Sequence, residues 1–161
     1  MKKILKTLPA IGLLVLFDQL TKFLAIRFLQ GTKGIPLIKN VLELYYVENR
    51  GAAFGIMQNK QWFFLAITLV ILGAVVWLAL RIPDGNRFRP LEICLVLITA
   101  GAVGNLIDRL FRHYVVDFIY FKLIDFPVFN VADIYVTVTA FAFVLLGLFY
   151  YKDEDFNRIF Q

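Results

Sequence analysis

The sequence predicts a mainly α membrane protein, with four transmembrane helices and a small surface β-element. Three observations carry this. The chain of 161 residues is 60% hydrophobic and only 18% charged, with a mean hydropathy of +0.74; a soluble domain is nearer half apolar and a quarter charged. Four long apolar runs recur, and at roughly 20 residues per span they occupy most of the chain. Two of the connections between them are polar yet rich in β-branched and aromatic residues, as surface strands are. No length remains for a second soluble domain, so residues 1–161 read as one integral membrane unit.

The first span is expected at about residues 8–28. Lys2, Lys3 and Lys6 precede an apolar run, as in a secretory signal, but no small-residue cleavage site follows and the apolar pattern continues past Lys22. Asp18 and Lys22 are four residues apart, on one helix face, and can pair; the alternative is a lysine snorkelling toward the interface, which leaves Asp18 unexplained. Gly31, Gly34 and Pro36 open a long polar connection. Val41–Asn49 reads as a strand at the membrane surface, followed by a tight turn at Asn49-Arg50-Gly51. The second span, about residues 62–80, is free of charge, with Trp62 and Trp77 near its two ends. The third, about residues 91–107, contains Gly101 and Gly104, which can admit a neighbouring helix closely. Tyr114–Tyr120 is strand-like and Pro127 breaks the chain. The fourth span runs over about residues 132–151, before a short charged tail.

Composition excludes several chemistries. There is no serine, one cysteine (Cys94) and one histidine (His113). Serine-nucleophile catalysis, a cysteine-based zinc site and a histidine-rich metal site are therefore out, and no cofactor or metal is expected. The net charge of +5, from 17 Lys+Arg against 12 Asp+Glu, fits anionic lipid headgroups better than nucleic acid. Cys94 reads as a small buried hydrophobe.

What remains for hydrolysis is carboxylates, and they cluster. The stretch Gly104–Asp133 carries Asn105, Asp108, Arg109, Asp117, Asp125, Asn130 and Asp133. Such groups are costly at a bilayer and mark function there. Two neighbouring aspartates can hydrolyse an amide without a covalent intermediate: one takes a proton from water and the other donates to the carbonyl oxygen. Their proximity makes double ionisation costly, so they share a proton. Asp117 follows the third span and Asp133 opens the fourth, which puts both at one membrane face. Asn105, Asp108 and Arg109 lie three and four residues apart, able to form a supporting hydrogen-bond shell or an ion pair capping the helix. Asn130 can cap the fourth helix, hold substrate, or both. Asp125 and His113 read as loop residues.

These residues carry a resemblance. Asp18-Gln19-x-Thr21-Lys22, Asn49-x-Gly51-Ala52-Ala53-Phe54, Gly104-Asn105-x-x-Asp108-Arg109, Val115-Val116-Asp117-Phe118 and Phe129-Asn130-x-Ala132-Asp133 together resemble the lipoprotein signal peptidase family (signal peptidase II), membrane aspartyl proteases of bacteria. The five motifs span nearly the whole chain. The resemblance implies four transmembrane helices with a small extracytoplasmic β-element, and Asp117 and Asp133 as the catalytic dyad. Asp18, Lys22, Asn49, Gly51, Asn105, Asp108, Arg109 and Asn130 would bind substrate or support the dyad. It implies a multi-pass protein of the cytoplasmic membrane, its site toward the extracytoplasmic side. The enzyme would cut the signal peptide from a prolipoprotein before a diacylglyceryl-modified cysteine, working as a monomer among membrane lipid. One departure is Ile134, where the family has a small residue such as serine; it bears on local packing.

The alternative from the residues alone is a small proton- or cation-coupled transporter component using Asp18, Asp108 and Asp133, which predicts acids strung at different depths. On either reading four spans place both termini on one side. The leading lysines favour the cytoplasm for Met1, Asp84 and Gln161, and the outside for Lys39 and His113.

Overall fold

The computed structural model describes residues 2–51 and 60–160, with side chains from residue 5 onward. Met1, Gln161 and the Ala52-Ala53-Phe54 part of the second motif lie outside the described residues. Among the described residues four helices are long and apolar enough to cross a membrane: Leu5–Leu29, Gln61–Arg81, Asn86–Phe111 and Val131–Tyr150. They belong to α1 (Lys2–Leu29), α2 (Gln61–Arg81), α3 (Arg89–Phe111) and α4 (Val131–Leu145), the last continuing as a π-helical turn over Leu146–Tyr150.

Small residues on α3 decide how closely the helices meet. A Cβ on Gly101 would fall 2.6 Å from the carbonyl oxygen of Ala132, and one on Gly104 would fall 2.5 Å from Oδ2 of Asp18. Helix α3 therefore touches α4 through one glycine and α1 through the other. Large apolar side chains such as Leu13, Leu69, Val70 and Phe141 remain exposed on the outer faces, which is the surface a lipid solvent takes.

One end of the bundle carries a three-stranded antiparallel sheet of order β1 (Ile35–Ile38), β2 (Leu42–Asn49) and β3 (Val115–Phe121). It is seated on the end of α1 by a cluster of Ala25, Leu29, Val116 and Phe118. Strand β1 differs from the expected open connection. Pro36 argues against a strand in sequence, yet β1 pairs only with β2, and an edge strand has a side where proline's missing N–H costs nothing.

The other end differs from the expected charged tail. Asp153–Phe160 forms a short helix, α5. Ile159 and Tyr151 are buried with Ile82, Phe88, Leu91 and Leu95, and the Tyr151 ring stacks on Phe88 with centroids 5.8 Å apart. Asp155 receives the Arg87 guanidinium at 2.7 Å. Eight residues are too few for the apolar spacing of Phe156, Ile159 and Phe160 to stand out against the flanking charges.

Candidate active site

Two local features bring distant aspartates together. The β2–β3 register places Val47 opposite Asp117 and Asn49 opposite Val115. Phe129 then pairs with Ile119 as an isolated bridge, its carbonyl accepting from the amides of Phe118 at 3.0 Å and Ile119 at 2.9 Å. This returns the chain to the sheet just before α4 begins. Asn130 is the N-cap of α4, and Asp133, three residues on, completes a capping box. A sequence of type Asn-x-x-Asp supplies both reciprocal bonds: the amide of Asp133 donates to Oδ1 of Asn130 at 3.1 Å, and the amide of Asn130 donates to Oδ2 of Asp133 at 3.2 Å.

Amide donors hold all four oxygens of the two carboxylates. Asp117 accepts from Nδ2 of Asn130 at 2.6 Å and Nδ2 of Asn49 at 2.9 Å. Asp133 accepts from Nδ2 of Asn105 at 2.8 Å as well as from the Asn130 amide. Asn130 thus touches both aspartates, and its own Nδ2 also reaches Oδ1 of Asn105 at 3.2 Å. The side chains of Asp117 and Asn130 are buried. Burial, and after it the negative charge of Asp133, pushes the Asp117 carboxyl up to about 7.

A cavity of about 600 Å³ opens beside them, lined by Asn49, Gly51, Asn105, Arg109, Asp117 and Asp133, with an apolar wall from Phe121, Phe126–Phe129, Ile134 and Val138. Ile134, the departure from the family pattern, is part of that wall, next in the chain to Asp133. The Gly51 amide donates to Oδ1 of Asn49 at 2.9 Å, which fixes the Asn49 amide toward Asp117. Arg109 lies over the Phe64 ring, its guanidinium carbon 5.0 Å from the centroid. It acts electrostatically on Asp133, Asp117 and Asp108 without a direct ion pair to any of them among the described residues.

Asp18, Lys22 and Asp108 do not reach the cavity. They are fully buried behind it. Lys22 Nζ lies 2.9 Å from Asp18 and 3.1 Å from Asp108, so the i, i+4 pair on α1 is present and is extended by a second acid. The partners of Asp108 are Lys22 and Arg112 rather than its sequence neighbour Arg109. The residues that sequence reasoning left without a role are Gln19 and Arg112. Gln19 donates to Gly104 O at 3.1 Å and Asp108 at 3.2 Å, and accepts from Arg112 at 3.1 Å. The spacing of Asp108 and Arg112, i and i+4, is the signal that could have found the second pair. Asp125 and His113 are exposed. Asp125 accepts from the Tyr120 hydroxyl at 2.6 Å, and His113 lies 3.2 Å from the Gln61 amide nitrogen; neither lines the cavity.

Residues 10–149 match the family model described as signal peptidase (SPase) II. The chain belongs to the signal peptidase II family. Lipoprotein signal peptidases of Streptococcus pyogenes agree with this: the serotype M6 protein is 40% identical over 98% of this chain and 99% of its own length, and the serotype M5 protein is 40% identical over 98% of this chain and all of its own. Two solved structures share the fold. A bacterial membrane enzyme solved in meso at 2.3 Å superposes with a TM-score of 0.75 at 34% identity, over 89% of this chain and 87% of that one. A second, at 1.9 Å, gives 0.78 at 33% identity, over 89% and 93%. As a signal peptidase II this is a protease and a multi-pass membrane protein, and the transporter reading finds no support. The acids it would string through the membrane instead gather at the sheet end, where Asp18 and Asp108 are already neutralised by Lys22 and Arg112.

Proposed function

We propose that this signal peptidase II is an aspartic endopeptidase of the bacterial cytoplasmic membrane. It removes the signal peptide from prolipoproteins, cutting before the cysteine that carries a diacylglyceryl group. The observation that carries this reading is the shared Asn130: two aspartates from different elements, one on a strand and one on a helix end, converge on one asparagine beside one cavity. The apolar wall of that cavity suits the lipid-modified end of such a substrate, and membrane lipid surrounds the bundle. The chain works as a monomer in this reading, because all named parts of the site come from one copy.

The two aspartates share one proton and titrate as a unit. The ionised partner takes the proton from the attacking water, and the protonated partner gives its proton to the carbonyl oxygen of the scissile bond. As the tetrahedral intermediate collapses, a proton passes to the departing amine. Purified protein incubated with a diacylglyceryl-modified prolipoprotein peptide, with no metal added, should release the signal peptide at the bond before the cysteine. An intact peptide after prolonged incubation, read by mass spectrometry, would sink the proposal.

The amide cradle yields a prediction. Asn105→Ala and Asn130→Ala should each lower kcat at least about tenfold while leaving an inserted protein, and Arg109→Ala, which acts on the dyad through its charge alone, should lower it less. A hydrogen bond to a charged group is worth roughly 1.5–3 kcal/mol, and about 1.4 kcal/mol is tenfold in rate. Wild-type turnover in all three would show that the cradle only holds the fold.

The orientation carries a second. The sheet end holds many cations, but several are answered by carboxylates: Lys22 by Asp18 and Asp108, Arg112 by Asp108, Arg50 by Glu48 and Lys122 by Glu43. Loop cations count toward topology even when carboxylates answer them, but the first helix usually dominates, and its leading lysines favour the cytoplasm for the α5 end. With Cys94 changed to alanine, single cysteines at Lys39 and His113 should react with an impermeant thiol reagent added outside cells, and one at Asp84 should not. Outside labelling at Asp84 would invert the topology.

A further inference from the structure

The buried charges behind the site are arranged around the backbone of the dyad. The residue immediately before each aspartate has its amide held by a buried carboxylate. The Val116 amide, next to Asp117, donates to Oδ2 of Asp108 at 3.1 Å. The Ala132 amide, next to Asp133, donates to Oδ1 of Asp18 at 2.9 Å. Lys22 lies between those carboxylates, 2.9 Å from Oδ2 of Asp18 and 3.1 Å from Oδ2 of Asp108. Its third contact, at 2.9 Å, is Oδ1 of Asn105, whose Nδ2 donates to Asp133. An ammonium has three donors, and each of them leads within two bonds to a dyad aspartate or to the residue before one.

We propose that Lys22 is a positioning residue: with Asp18 and Asp108 it forms a clamp that sets the separation of the backbones carrying Asp117 and Asp133. The inference rests on the dyad reading above. Its physical basis is that the two aspartates belong to elements with no covalent reason to stay in register, a strand after α3 and the first turn of α4. Asp108 comes from α3 and Asp18 from α1, so Lys22 ties three helices to both backbones at one point. All three side chains are fully buried, where an ion pair loses much of its Coulombic gain to desolvation and apolar residues would hold helices together as well. What apolar residues cannot do is accept two particular N–H groups at fixed positions. A displacement of about 1 Å in a reacting pair can cost on the order of 100-fold in rate.

The test is the double variant Asp18→Asn/Lys22→Met. It removes one charge of each sign, and the asparagine oxygen still accepts from Ala132, while the bridge and the Lys22 bond to Asn105 are lost. With a diacylglyceryl-modified prolipoprotein peptide, kcat per folded, monodisperse molecule should fall about 100-fold, with KM within about threefold. Arg87→Gln/Asp155→Asn, which breaks an ion pair at the α5 end, should lower the thermal midpoint and leave kcat within about twofold. If the Lys22 double variant folds and turns over within threefold of the wild type, or loses only thermal stability as the control does, the clamp is refuted. Should it fail to fold, Asp18→Asn and Asp18→Leu decide: both remove the charge, and only the former keeps an acceptor for the Ala132 amide. The leucine variant should be at least about tenfold slower than the asparagine variant, and equal kcat would overturn the proposal. Asp117→Asn and Asp133→Asn run beside them. Cleavage by either of these refutes the dyad itself; two dead dyad variants beside an active clamp variant refute the clamp alone.

Discussion

Asp117→Asn and Asp133→Asn should each abolish cleavage, and neither should prevent membrane insertion. This is the largest effect expected of any single substitution in the chain. An amide keeps the size of the side chain and most of its hydrogen bonds, but it neither accepts the water's proton nor donates an acidic one. The two roles are complementary, so one aspartate cannot cover for the other. The pair titrates as a unit. Activity should fall as pH rises through about 7, when the pair gives up its shared proton, and fall again at acid pH when both are protonated.

The same shift has a consequence for stability. Asp117 has a raised value in the folded state, so the native protein binds a proton that the unfolded chain has already released between about pH 4 and pH 7. Stability therefore drops as pH rises across that window, with a slope of up to about 1.4 kcal/mol per pH unit. Asp117→Asn lacks this loss. Relative to the wild type, the inactive variant should become more stable from pH 5 to pH 8, read as thermal midpoints in detergent. A cleavage assay on both variants, with Asp125→Asn and His113→Ala as near-silent comparisons, checks the chemistry. Normal cleavage by either dyad variant would refute the mechanism.

How far the sequence could be read follows from the range of the interactions. The Asp18–Lys22 pair is local, four residues along one helix, and the spans are composition. The strand at Val41–Asn49 was visible in its β-branched and aromatic run, and β2 covers Leu42–Asn49. Where a rule of thumb opposed the tertiary context, context won. Pro36 hid β1, because its strand lies at the sheet edge. The charges of Asp153, Glu154 and Asp155 hid α5, which is held by Arg87 and a buried Ile159. The meeting of Asn130 with Asp117 was out of reach of spacing arguments. It depends on the Phe129–Ile119 bridge, a pairing between a loop and a strand ten residues apart with no pattern of its own. The motifs pointed to the residues; only the fold shows that one asparagine serves both acids.

The second large effect is at the glycines of α3. Gly101→Ala and Gly104→Ala add the smallest possible side chain, yet both should destabilise the protein by about 1–3 kcal/mol, the usual cost of overpacking. They should differ in what they do to catalysis. At Gly101 the new methyl group would sit 2.6 Å from the Ala132 carbonyl oxygen and 2.8 Å from Cγ2 of Val136. A backbone atom cannot rotate away, so α4 must move off α3 as a body, carrying Asp133 with it. At Gly104 the obstacle is a side chain, with Oδ2 of Asp18 at 2.5 Å and Cγ at 3.1 Å. A free carboxylate would swing aside. This one is held by Lys22 on one oxygen and the Ala132 amide on the other, so it yields only by breaking one of those bonds. Gly104→Ala should therefore reduce kcat by at least about tenfold in the protein that remains folded. In the Asp18→Asn background, where the oxygen nearest the methyl group is no longer tied to Lys22 as a charge pair, the added cost of Gly104→Ala should shrink. Thermal unfolding and kcat for the two singles and the double form a cycle that measures this coupling. Strict additivity of the two changes would mean that Gly104 makes room for the helix and not for the carboxylate of Asp18.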